Sequence, residues 1–142
     1  MYRWTHAELE VLLVHPGGPF WAKKDLGAWS IPKGEYDESE EPLQAAIREF
    51  QEETGFDVSG PYQELGSVKQ AGGKIVSAWA FEGDGDADAI RSTLCRIEWP
   101  PRSGREIEFP EVDRGRWFSI QEATEHILKG QAPFLLLLAE TV

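Results

Sequence analysis

Apolar positions cluster first at Leu9–His15 (LEVLLVH), a short run rich in branched side chains, which reads as a strand. His15-Pro16-Gly17-Gly18-Pro19 ends it as a loop. Trp29-Ser30-Ile31-Pro32 is expected to be extended, because a residue before proline avoids the helical region, and Lys33-Gly34-Glu35 then turns. Leu43, Ala46, Ile47, Phe50 and Thr54 recur at helical spacing and predict a helix over Pro42–Thr54. Pro42 suits its first position, where an N–H would lack a partner, and Gly55 suits its C-cap.

Further strands are expected at Tyr62–Val68, Lys74–Glu82, Cys95–Trp99 and Arg114–Phe118. Gly72-Gly73 turns the first two into a hairpin, and Gly83–Asp88 reads as a polar loop. Ser119 and Glu122 form a capping box that opens a helix through about Lys129, stopped by Gly130. Pro133–Glu140 is expected to be one more short helix. Strands and helices interleaved in this way predict a layered α/β fold.

The length of 142 residues fits one domain, 1–142, with a core that needs no staples. The longest apolar run, Phe134–Ala139, is far too short to span a bilayer, and the first residues have no signal-peptide pattern. Cys95 is alone, so no internal disulfide forms, and it reads as a small buried thiol. These features together point to the cytoplasm. The net charge of −11 argues against an extensive nucleic-acid interface or an anionic membrane as partner.

The acids are not evenly spread. Glu35, Asp37, Glu38, Glu40, Glu41, Glu49, Glu52 and Glu53 crowd one segment, where only Arg48 offsets them. Such a cluster repels itself unless a cation sits in it. On the predicted helix, Glu49, Glu52 and Glu53 share one face that flanks the buried stripe. Like charges at this spacing weaken a helix, and glutamates in the last turn oppose its dipole. A solvated acidic face accounts for the three glutamates taken alone. A functional site is the other reading, since local rules are broken where a site requires it, but the three glutamates alone favour the solvated face. Hard oxygen ligands without a Cys/His cluster suit Mg²⁺ or Mn²⁺ and not zinc.

The wider spacing separates the two readings. Gly34, five residues, Glu40, seven residues, Arg48-Glu49, two residues, Glu52-Glu53, one residue, Gly55: this resembles the Nudix hydrolase signature at every fixed position. Phe50 and Phe56 stand where an aliphatic residue is usual and remain apolar. The likeness extends more loosely through Leu9–His15, Trp29–Gly34 and Phe109-Pro110-Glu111-Val112-Asp113 to Trp117-Phe118-Ser119. One departure is larger. Relatives have a first strand upstream of where this chain begins, and only Met1–Trp4 is available for it, so that strand is either short or truncated.

The resemblance implies a Nudix-type α/β/α sandwich with a mixed sheet and a loop–helix–loop site. It implies that Glu49, Glu52 and Glu53 bind the divalent ions, with the carbonyl of Gly34 as a further ligand, and that Glu40 and Arg48 form an orienting ion pair. A further acidic group often lies six residues before the late tryptophan. Counting back from Trp117 gives Glu111, which competes with Glu106 and Glu108 and with the reading of an exposed loop acid. Glu49 and Glu111 remain alternative general bases.

Among other residues, Lys33, Lys23, Lys24, Arg102 and Arg105 could meet a polyphosphate or could be solvated cations, and Trp21 is the candidate to stack on a base. His6, His15 and His126 have no metal-ligand spacing. The resemblance implies hydrolysis of a phosphoanhydride in a nucleoside diphosphate joined to another group. The form Trp29–Gly34 resembles members that cleave dinucleoside polyphosphates or diphosphoinositol polyphosphates, which come first, then ordinary or oxidised nucleoside triphosphates, then RNA 5′ ends. The alternative is a non-catalytic Nudix-fold sensor of a nucleotide or metabolite. The oligomeric state is not legible.

Overall fold

The structure is a computed structural model describing residues 1–36, 38–70 and 72–142. Asp37, one of the clustered acids, lies outside the described residues. In chain order the elements are β1 (Tyr2–Thr5), β2 (Glu8–Pro16), α1 (Pro42–Thr54), β3 (Gln63–Lys69), β4 (Ile75–Ala80), β5 (Leu94–Glu98), β6 (Glu106–Pro110), β7 (Val112–Ser119), α2 (Ile120–His126) and α3 (Ala132–Thr141).

The apolar run Val11–Val14 within β2 has a simple cause. Successive side chains of a strand point to opposite faces, so a strand apolar at every position is covered on both. Val11 and Leu13 pack with Trp29, Phe118, Ala123, Ile127, Leu135 and Leu138 on the side of α2 and α3. Leu12 packs with Phe50 and Phe81, bordered by Phe56, Tyr62 and Trp117, on the side of α1. The result is the expected α/β/α sandwich.

The central sheet runs β1-β2-β7, all antiparallel. At its β1 edge, the Tyr2 N–H donates to the Phe81 carbonyl at 3.0 Å and the Gly83 N–H donates to the Tyr2 carbonyl at 3.0 Å. This parallel bridge extends the sheet toward the β3–β4 hairpin and makes it mixed. Tyr2–Thr5 thus form a short strand at this edge. The β3–β4 turn closes through Gln70 and Gly72–Lys74, with Ala71 outside the described residues. Among the described residues no helix is long and apolar enough to cross a membrane.

Helix α1 has the predicted bounds. Glu41 caps it by accepting from the N–H groups of Leu43 and Gln44, and Gly55 ends it at φ 76°. Its buried side differs from the predicted stripe. Ala45 and Glu53 join Phe50 and Thr54 in full burial, whereas Leu43, Ala46 and Ile47 are only partly covered. These three border a cavity of about 600 Å³ between α1, β4 and α3.

Helix α2 stops at His126, before the expected Lys129, although Ser119 and Glu122 form the expected capping box. Ile127 turns extended to bury itself and bridges Trp29. Gly130 sits inside a 3₁₀ turn, Lys129–Gln131, and does not end the helix. Strand β6 was not expected, because Ile107 and Phe109 alternate with charged residues over too short a run. Cys95, expected to be buried, is only partly so.

Candidate metal centre and active site

Three carboxylates converge from two distant segments. Glu49 and Glu53 come from the last turns of α1, and Glu111 from the bend between β6 and β7. One oxygen of each lies within 4.8 Å of the others. Backbone pairing holds Glu111 in place: its N–H donates to the Thr93 carbonyl and its carbonyl accepts from the Gly17 N–H, both at 2.9 Å. The Thr93 hydroxyl donates to Glu111 Oε2 at 3.2 Å.

Glu53 is 4% exposed, and its Oε1 accepts from the Lys33 N–H at 3.1 Å. Burial pushes its pKa up to about 7, with the Glu111 and Glu49 charges adding and Lys33 opposing. Glu49 is raised too, first by desolvation and then by the Glu52 charge, against the pull of Arg48. Clustered like charges held partly out of water favour a hard cation among them. The donor set of three carboxylate groups suits Mg²⁺ or Mn²⁺.

Arg48 organises the helix side of this cluster. Its Nε and Nη2 donate to the two oxygens of Glu40 at 2.8 and 2.9 Å. Its Nη1 donates to Glu49 Oε1 at 2.9 Å and to Glu52 Oε1 at 3.2 Å. The expected Glu40–Arg48 pair is therefore present. Glu52 faces Arg48 and stands apart from the tight group of three. Gly34 lies directly against Glu49, where a β-carbon would overlap the carboxyl group.

A cavity of about 360 Å³ opens on Glu53 and Glu111. Lys33 and Trp21 line it, as do Phe20, Cys95, Ile97 and Phe109. Arg105 does not line it; that residue sits in the turn between β5 and β6. Spacing on one helix could not reveal Phe109 or Cys95, which face the site only because β5 and β6 pair. The larger cavity beside α1 is lined by none of the three carboxylates.

The NUDIX domain family model matches residues 5–138. The RNA pyrophosphohydrolase of Bartonella henselae is 32% identical over 108 residues, covering 66% of this chain and 57% of that protein. The mRNA-decapping protein g5R of African swine fever virus is 33% identical over 110 residues, covering 73% of this chain and 42% of that protein. The chain thus spans little more than half the length of these relatives, or less. Among solved structures, the NUDIX domain of Shewanella oneidensis NrtR, complexed with ADP ribose, superposes with a TM-score of 0.64 at 20% identity, covering 98% of this chain and 81% of that one. A C. elegans Ap4A hydrolase superposes with a TM-score of 0.58 at 19% identity, covering 98% and 90%. The family match over nearly the whole chain agrees with the α/β/α layers and the spacing from Gly34 to Gly55, and the chain belongs to the NUDIX domain family.

Proposed function

We propose that this chain, acting as one domain over 1–142 in the cytoplasm, hydrolyses a phosphoanhydride bond in a nucleoside diphosphate joined to another group, with Mg²⁺ or Mn²⁺. The observation that carries this reading is the convergence of Glu49, Glu53 and Glu111. Glu49, Glu52 and Glu53 on α1, with the Gly34 carbonyl, would hold the divalent ions, and Glu111 faces them from the opposite side. Bound divalent ions would neutralise phosphate oxygens and lower the pKa of a bound water.

The chain's own groups divide the remaining work. Arg48 grips Glu49 and so favours it as an anionic ligand. Glu111, which accepts from the Thr93 hydroxyl, is the proton acceptor for the attacking water. Lys33 lines the cavity as a cation for the phosphate chain, and Trp21 lines it as a surface for a ring.

The relatives named for RNA and the neighbours named for ADP ribose and Ap4A share a nucleoside diphosphate element. Small dinucleoside or nucleoside polyphosphates and a triphosphorylated RNA end all contain it. A sensor reading is disfavoured, because every carboxylate of the signature is present. The test is a nucleotide panel with product identification, run with Mg²⁺ and after chelation, on the wild type and Glu53→Gln. Rates are expected to fall by orders of magnitude after chelation and in the variant. Near-wild-type rates in Glu53→Gln would sink the assignment.

A further inference from the structure

The C-terminal end of a helix leaves backbone carbonyls without partners inside the helix. At the end of α1, two of them are met by the irregular segment Arg91–Thr93, just before β5. The Arg91 N–H donates to the Thr54 carbonyl at 2.9 Å, and the Thr93 N–H donates to the Glu52 carbonyl at 2.8 Å. Between them Ser92 engages β7. Its hydroxyl accepts from the Val112 N–H at 2.9 Å and donates to the Val112 carbonyl at 3.0 Å. Gly55 permits the close approach, since a β-carbon there would lie 2.9 Å from the Arg91 carbonyl oxygen. The segment is a splint between the end of the carboxylate helix and the start of β7.

Thr93 completes the splint with three polar groups. Its N–H bonds the Glu52 carbonyl, its carbonyl accepts from the Glu111 N–H at 2.9 Å, and its hydroxyl donates to Glu111 Oε2 at 3.2 Å. One residue thus touches both the helix that carries Glu52 and Glu53 and the carboxylate that faces it. Among the described residues, the Thr93 hydroxyl is the hydrogen-bond donor to the Glu111 side chain.

The three converging carboxylates are held by donors of different kinds. Arg48 Nη1 donates to Glu49 Oε1 at 2.9 Å, the Lys33 N–H donates to Glu53 Oε1 at 3.1 Å, and the Thr93 hydroxyl donates to Glu111 Oε2. The guanidinium is a cation and favours a fixed anion. The hydroxyl is neutral, so it aims a carboxylate without cancelling its charge, which suits a group that must take up a proton. Threonine is branched at Cβ and has few side-chain rotamers, so its hydroxyl is aimed as well as present. Thr93 is exposed, so water can replace the lost hydrogen bond at little cost in folding. Water cannot fix the direction of the carboxylate.

We infer that Thr93 is a positioning residue for the hydrolysis: it sets the reach and direction of Glu111 by tying that carboxylate to the Glu52 carbonyl. The inference rests on the pyrophosphohydrolase reading with Glu111 as proton acceptor. It deepens that reading by naming a residue outside the Gly34–Gly55 spacing on which the acceptor depends.

The test compares the wild type, Thr93→Val, Thr93→Ser, Glu111→Gln and the Thr93→Val/Glu111→Gln double variant on the nucleotide panel at saturating Mg²⁺. Thr93→Val keeps the shape and loses the donor, so kcat is expected to fall about tenfold with KM nearly unaltered. Thr93→Ser should recover most of the loss. In the Glu111→Gln background Thr93→Val should cost nothing further, because a residue that acts through another is not additive with it. Calorimetric Mn²⁺ affinity without nucleotide, and the urea midpoint, should match the wild type in Thr93→Val. An unaltered kcat in Thr93→Val, an additive loss in the double variant, or a Mn²⁺ affinity or urea midpoint that falls with kcat overturns the role of Thr93 and leaves the hydrolase standing. A wild type inactive across the panel removes the hydrolase reading and this one with it.

Discussion

Lys33 donates its backbone N–H to Glu53 Oε1 at 3.1 Å, joining the turn before α1 to the last turn of that helix across twenty residues. The bond fixes a buried carboxylate that geometry places among other acids. The arrangement is expected to make the apoprotein sensitive to pH and to cations.

Glu53 has its folded pKa raised to about 7, above the ordinary value of 4.5. The folded state therefore binds more protons than the unfolded state between those values, and stability falls as pH rises through that window. The full effect is about 3 kcal/mol in the metal-free protein. Urea midpoints in chelator are expected to drop from pH 5 to pH 8. Mg²⁺ should restore them at pH 8, and Glu53→Gln should flatten the profile. A profile that stays steep in Glu53→Gln would assign the effect to another group.

Arg48 touches Glu40, Glu49 and Glu52 at once, and its side chain is 41% exposed. An exposed ion pair contributes little to folding, so Arg48 is expected to act mainly by placing the carboxylates it touches. Arg48→Ala is expected to leave the urea midpoint nearly unaltered while lowering turnover about 10- to 100-fold. Arg48→Lys should recover little, since an ammonium cannot grip both oxygens of Glu40. Steady-state kinetics at saturating Mg²⁺ reads the difference.

Gly34→Ala adds a methyl group where the Glu49 carboxyl lies. Gly34 is exposed and outside any regular element, so the fold should persist. Displacing the carboxylate by about an ångström is expected to reduce turnover about 100-fold. Circular dichroism and kcat, measured together, separate this outcome from misfolding.

Thr54 tests packing independently of chemistry. Fully buried, it donates to the Phe50 carbonyl at 2.7 Å and accepts from the Phe56 N–H at 3.1 Å. Thr54→Val keeps the shape and strands the Phe56 N–H, for an expected loss of about 1–2 kcal/mol by urea denaturation. An unaltered midpoint would mean that water reaches that group.

Helix α1 was legible because its information is local. Pro42, the apolar spacing and Gly55 each act within a few residues, and the observed bounds match. Strand β2 was legible for the same reason, through its continuous apolar run. Strand β6 was not, because its charged outer positions mask Ile107 and Phe109. The end of α2 was missed because Ile127 leaves the helix for the core, a choice made by Trp29 and its neighbours.

The chain's own order of residues determined that Glu49, Glu52 and Glu53 share one helical face and that Arg48 can reach Glu52 one turn on, since a helix converts spacing directly into proximity. Tertiary structure decided which carboxylates meet. It brought Glu111 to Glu49 and Glu53, and it set Phe109 over Gly18. Those relations depend on strand register and loop anchoring between segments tens of residues apart, and no local period encodes them.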